Sequence, residues 1–280
     1  MNRSREVIKS SGEKAIFSPA KLKRSLLKSG ADEKTAGRVL REISDELYPG
    51  ISTKEIYNRA FSMLKKCGDS YASRYSLKKA IYELGPTGFP FEKFIGEIMK
   101  REGFEVKIDQ LLEGNCVTHE VDVVAFKAGK RYLAECKFHS EEGKNCDVKV
   151  PLYIYSRFQD IHAAGKKNGK AEGQGWVVTN TRFTEDALQY GRCMGLYLLS
   201  WNYPEKMSLK KRIDDLKLYP VTISTLLSLE EKQFMLERGI VLASQLLKNE
   251  YLLEHLGISE KRKRRILSEF NSICNSHEKA

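Results

Sequence analysis

No run of the roughly 18 apolar residues that a membrane-spanning helix needs occurs in the chain, so no bilayer span is expected. Met1-Asn2-Arg3-Ser4 opens no signal peptide. The six cysteines, at 67, 116, 136, 146, 193 and 274, include no C-x-x-C pair and have no histidine partners at zinc spacing. They read as reduced thiols, mostly small core residues, of a soluble cytoplasmic protein. Acidic side chains are the scarcer sign, 37 against 48 lysines and arginines, which leaves a net charge of +11. That excess favours a polyanionic partner, and it would equally suit an anionic membrane surface. With 41% hydrophobic and 30% charged residues the chain buries real cores, and its 280 residues hold two or three domains.

The stretch that organises the rest is HEVDVVAFKAGKRYLAECKFH, residues 119–139. Two arms, 117–126 and 131–138, are rich in valine, alanine, leucine and aromatics around the turn Lys127-Ala128-Gly129-Lys130, and so predict a β-hairpin. Strand side chains alternate, which puts Glu135 and Lys137 on one face about 6.5 Å apart, with Cys136 on the other. In the first arm Glu120 and Asp122 share a face with Val124 and Phe126, while Val121, Val123 and Ala125 line the opposite one. A carboxylate in an arm that is apolar on both sides is costly to bury unless a cation or hydrogen bonds compensate it. Asp122, Glu135 and Lys137 therefore suit an oxygen-loving divalent ion, Mg2+ or Mn2+, and the chemistry of a phosphodiester. The spacing alone equally fits a solvated hairpin with a surface Glu-Lys pair.

The arrangement resembles the PD-(D/E)xK nuclease signature, with Asp122 as its first acid and Glu135-Cys136-Lys137 as its E-x-K. The neighbouring segments extend the likeness. A helix beginning at Phe91-Glu92 is followed by Gly103-Phe104-Glu105-Val106, the hairpin, a helix over 150–165, then GWVVTNTRFT and LYLLSW. From 88 to 201 this order looks like the Mrr-type branch of the restriction endonucleases. The resemblance implies a mixed sheet flanked by helices, with an acid from the first helix near the metal; Glu97 is preferred for that place and Glu92 comes next. It also implies a polar residue on the helix after the E-x-K, for which Gln159 is the candidate, supported by Tyr155. His119 flanks the site as a possible proton shuttle or DNA contact. Residues 139–149 read as a polar loop over it, and KKNGK at 166–170 as a basic turn facing phosphate or solvent.

Ahead of this region, residues 5–85 carry two short β-like pieces, 7–9 and 14–17, and four helical patterns: 19–29, 32–47, one from Ser52 or Thr53, and 70–84. Val7-Ile8-Lys9, Gly12, Phe17, Lys21-Leu22, Ile51 to Ile56 and Arg74 to Lys79 make this unit similar to the ATP-cone, a small regulatory nucleotide-binding domain. The resemblance implies ATP or dATP held by Val7, Lys9, Lys21 and Thr53. The chain departs from it in having Lys9-Ser10-Ser11-Gly12 where the family usually has Lys-Arg-Asp-Gly, so a helical docking domain that binds no nucleotide stays open.

GPTGFPF, 85–91, marks the boundary. Residues 205–280 are helical, and the turn before Lys261-Arg262-Lys263-Arg264-Arg265 resembles a helix-hairpin-helix with Gly257 as its glycine.

The expectation is thus an α/β protein with domains at 1–85, 86–204 and 205–280. Its activity would be metal-dependent DNA hydrolysis, regulated by ATP or dATP. Asp122, Glu135 and Glu97 would be the metal ligands, with Lys137 orienting water and Gln159 assisting. Cutting both strands would favour a dimer or higher homo-oligomer. The alternatives are a non-catalytic, nucleotide-sensing nucleic-acid binder, or a nuclease acting on RNA or branched DNA.

Overall fold

The computed structural model describes residues 6–9, 12–167 and 173–275. The basic turn expected at 166–170 lies, from 168 onward, outside the described residues. Two compact units are formed, one from Met1–Ala80, Ile223–Lys232 and Leu246–Ala280, the other from Ile81–Thr222 and Gln233–Gln245.

In the first unit β1 (Glu6–Ile8) pairs antiparallel with β2 (Lys14–Ile16) and parallel with β3 (Ile51–Ser52). Helix α1 (Pro19–Lys28) starts where its sequence dictates: the Ser18 side chain accepts from the Lys21 N–H, and Pro19 occupies a position whose N–H has no helical partner. Asp32 caps α2 (Glu33–Asp45) in the same way, and Ser52 caps α3 (Thr53–Cys67). Leu22 and Leu26, Val39 and Ile43, Ala60 and Leu64 recur at helical spacing and form the core. The single helix expected over 70–84 is two, α4 (Asp69–Tyr75) and α5 (Leu77–Tyr82). Ser76 sits at the break, where its hydroxyl donates to the Ser73 carbonyl at 2.8 Å and offers the backbone an alternative to the helical ladder.

The second unit opens with α6 (Phe89–Arg101) and a meander of β4 (Glu105–Glu113), β5 (Thr118–Lys127) and β6 (Lys130–Lys137). There follow β7 (Asn145–Cys146), α7 (Lys149–Lys167), β8 (Trp176–Thr179), β9 (Arg182–Phe183), α8 (Glu185–Cys193), β10 (Tyr197–Leu199) and α9 (Leu209–Leu216). The main sheet runs β10-β8-β6-β5-β4, antiparallel through the meander and parallel from β6 to β8 to β10. Its parallel neighbours are joined through α7 and α8, as parallel pairing requires. Val121, Val123, Val124 and Ala125 are at most 2% exposed, as an arm apolar on both sides demands. Ile154, Phe158 and Ile161 of α7 pack with Val121, Leu133 and Val177. Gly96 permits close approach of α6 to β4, since a Cβ there would stand 2.5 Å from Ile108 Cδ1. The polar segment 139–149 is partly tied down: β7 pairs with β9, and Cys146 is buried beside Phe183.

The last helices are α10 (Leu229–Glu237), α11 (Ala243–Lys248), α12 (Tyr251–His255) and α13 (Glu260–Cys274). Gly257 turns the chain at φ 65°, its N–H donating to the Glu254 carbonyl and that of Ile258 to Leu253, the double bond of a Schellman cap. An equivalent cap closes α10, with Gly239 at φ 75°. The basic run beyond is partly spent on the fold. Arg262 grips both oxygens of Glu231 at 2.5 and 2.6 Å, Lys263 pairs with Glu254, and Lys261 and Arg264 are exposed. The fold class is the expected one: a helical front, a mixed sheet flanked by helices, and a small helical end.

Within the first unit α13 packs on α4. Glu269, only 3% exposed, accepts from the Ser73 hydroxyl at 2.6 Å, the Ser224 hydroxyl at 2.5 Å, and the Thr225 N–H and hydroxyl, both at 2.9 Å. Arg74 donates to the Ser272 and Ile273 carbonyls at 3.2 Å, satisfying the last turn of α13. Removing the carboxylate leaves several buried donors unsatisfied. Glu269→Ala should therefore cost about 3 kcal/mol or more, read as a lower urea midpoint, with Glu269→Gln costing less.

Candidate active site

The register of the hairpin builds the site. Val123 pairs with Ala134, so one step on Asp122 faces Glu135 across β5 and β6. Asp122 Oδ2 accepts the Cys136 N–H at 2.7 Å, fixing the carboxylate between the strands. Lys137 ends β6 on the Glu135 side, in register with Thr179 of β8, and its side chain is exposed.

Glu92, in the first turn of α6, is the helix acid on which the charges of this pair act. Glu97 is held elsewhere: it pairs with Lys100 at 2.7 Å, and five residues along a helix place it about 140° around the axis from Glu92. Of the two helix acids, Glu92 is the one the structure sets within reach of the pair's charges. Gln159 on α7 is exposed, whereas Arg157, two residues earlier, reaches the site. Arg157 Nη1 donates to Glu135 Oε1 at 2.8 Å and Nη2 to the Glu120 carbonyl. Its position was legible in principle, because it shares the helix face of the buried Ile154 and Ile161, which Gln159 does not. Tyr155 stands edge-on to Tyr190 with ring centroids 6.2 Å apart, a packing role between α7 and α8. His119 Nε2 lies 2.9 Å from Asp160 Oδ2, and the Asp160 carboxylate also accepts the Cys116 and Val117 N–H groups, clamping the turn between β4 and β5 to α7.

Burial, reinforced by the charge of Asp122, pushes both Glu92 and Glu135 up to about 7. Burial also raises Asp122, against the Cys136 hydrogen bond and the Arg157 charge. Glu135 Oε2 is buried and has no hydrogen-bond partner among the described residues. An orphaned carboxylate oxygen beside a second carboxylate is a donor set that a hard cation satisfies. Among the described residues no three histidine, cysteine, aspartate or glutamate side chains converge into a metal cage. Mg2+ needs no such cage, since it is usually held by one or two carboxylates and keeps several waters.

In the first unit the parallel pairing of Ile8 with Ser52 brings Lys9 and Thr53 to neighbouring positions one step beyond. Lys21 lies in the first turn of α1, Lys9 pairs with Glu13 at 2.9 Å, and Val7 is buried in the core at 4% exposure.

Three family models match the chain: an ATP cone domain over residues 5–84, a restriction endonuclease domain over 86–200, and an AF1548-like C-terminal domain over 219–274. They define the class, an ATP-cone domain fused to a restriction-endonuclease-like domain of the Mrr type. An uncharacterized protein of Archaeoglobus fulgidus is 34% identical over 180 residues, spanning 64% of this chain and 99% of that relative. The crystal structure of a protein of unknown function, AF1548, matches at a TM-score of 0.56 and 32% identity, covering 68% of this chain and 99% of that one. The chain belongs to this AF1548-like family. The DNA modification-dependent restriction endonuclease AspBHI matches at a TM-score of 0.30 and 12% identity, over 72% of this chain and 40% of its own. Among the described residues no helix is long and apolar enough to cross a membrane.

The raised carboxyls make stability depend on pH. With folded values near 7 against an ordinary 4.5, the fold binds more protons than the unfolded chain between those limits, so stability falls as pH rises through that window. The melting temperature of metal-free protein should decline from about pH 5 to about pH 7.5, and less steeply in Glu135→Gln. An equally steep decline in that variant would contradict the assignment.

Proposed function

We propose that the chain is a divalent-cation-dependent deoxyribonuclease whose activity is set by ATP or dATP on its cone domain. The observation that carries this reading is the pairing of Asp122 with Glu135, one of whose oxygens is buried without a partner beside Lys137 on the same strand. Asp122 and Glu135 would hold Mg2+ or Mn2+, and Glu92 supplies the third acid in the place first given to Glu97. A bound cation supplies polarisation of the scissile phosphoryl group and a more acidic water. Lys137, exposed at the strand end, donates a hydrogen bond that orients the attacking water or offsets charge on the phosphorane. Gln159, on the exposed side of α7, is left as a substrate contact.

The net charge of +11 supports DNA as partner. Regulation rests on the cone domain, where Lys9, Lys21 and Thr53 would meet the triphosphate, with Val7 shaping the strand beneath. A homodimer or higher oligomer would supply two active sites for two strands. A second reading is favoured by the Glu135–Arg157 ion pair: with one carboxylate already neutralised, the fold would serve a nucleotide-sensing nucleic-acid binder without catalysis.

Plasmid cleavage separates the two. Wild type should cut with Mg2+ or Mn2+, with a nucleotide-dependent rate, and Asp122→Asn and Lys137→Ala should each lose at least about a hundredfold while still binding DNA. Absence of metal-dependent cutting on methylated and unmethylated DNA, with binding intact, would establish the sensor. Preferential cutting of RNA or branched DNA would reassign the substrate.

A further inference from the structure

Arg157 has no part in the activity proposed above, yet it sits where the two carboxylates meet. Its side chain is 13% exposed and that of Glu135 18% exposed, so the pair is largely withdrawn from water. One arm of its guanidinium takes Glu135 Oε1, and the other is anchored on the Glu120 carbonyl of β5. The group lies 5.5 Å from the ring centroid of Tyr153, which is 64% exposed. Arg157 is also the cation that opposes the mutual repulsion of Asp122, Glu120 and Glu135.

A dication arriving at Asp122 and Glu135 therefore meets a like charge already seated on one of its ligands. Both cannot draw on the same carboxylate at full strength. The anchor on the Glu120 carbonyl lets the guanidinium leave Glu135 by pivoting rather than by withdrawing, and its planar fork matches a phosphate.

We propose that Arg157 is the resident counter-cation of the site: it neutralises Glu135 in the metal-free protein, competes with the metal for that carboxylate, and once displaced donates to the DNA phosphate. This rests on the metal-site reading given above. A fixed buttress predicts the opposite sign, because removing it would let Glu135 scatter and weaken metal binding.

Mn2+ binding to the full-length protein, followed by titration calorimetry without DNA, reads the sign directly. Arg157→Gln should bind Mn2+ about tenfold more tightly than wild type, the loss of one competing charge-assisted hydrogen bond. Arg157→Lys, which keeps the charge without the fork, should fall between them, and it decides the question if the glutamine variant does not melt like wild type. Duplex DNA affinity should drop more in Arg157→Gln with Ca2+ present than in metal-free buffer. Unchanged or weaker Mn2+ binding in both variants would overturn the competition alone. No Mn2+ binding by wild type, matched by Asp122→Asn, would overturn the metal site and this inference together.

Discussion

Because Val123 pairs with Ala134, Asp122 has to face Glu135 one step further along β5 and β6, and that forced approach of two like charges shapes everything around it. Left in water, neither group would hold a proton near neutrality. Asp122 between the buried Val121 and Val123, and Glu135 between the buried Ala134 and Cys136, are each deprived of solvent, and Glu135 also feels the charge of Asp122. The structure answers with three devices: a backbone N–H from Cys136 on Asp122, the guanidinium of Arg157 on Glu135, and protonation of Glu135 and Glu92 up to about pH 7. Neither the Cys136 N–H nor the Arg157 guanidinium reaches Glu135 Oε2.

Glu269 shows what the same side chain looks like when it is finished. It too is buried, but both of its oxygens are occupied by hydroxyl and N–H donors from residues 73, 224 and 225, and it ties α13 to α4. A fully satisfied buried carboxylate specifies one packing arrangement; a half-satisfied one stores an unmet demand. The contrast separates a glutamate closed by the fold from one left open, without appeal to its position in any motif.

The hairpin was legible because period-two alternation and the Gly129 turn act locally, and the E-x-K spacing then places Glu135 and Lys137 on one face whatever the rest of the chain does. The helical contributions were not. Whether Glu92 or Glu97 meets the sheet depends on the rotation of α6, which is set by Gly96 against Ile108, a contact far apart in sequence. The choice of Arg157 over Gln159 turns on the same kind of rotation, with the apolar positions of α7 as the only local clue. Nothing local in the sequence singles out Glu269, whose burial depends on α4 being laid against it. Likewise the basic run at 261–265 reads as a phosphate-binding stripe, although Arg262 and Lys263 fold back onto Glu231 and Glu254.

The charge balance sets an order of events. The chain carries a surplus of 11 positive charges, which favours a polyanion at its surface, yet the site itself gathers Glu92, Glu120, Asp122 and Glu135 against the guanidinium of Arg157. On the proposed reading, a phosphodiester steered to the protein by the first would be turned away by the second for as long as the carboxylates are ionised and uncompensated. A cation at the acids would therefore have to arrive before the phosphate or together with it. A guanidinium released at that moment would be worth more as a phosphate donor than it was as a partner for Glu135, because its former carboxylate would already be neutralised and the incoming anion would not.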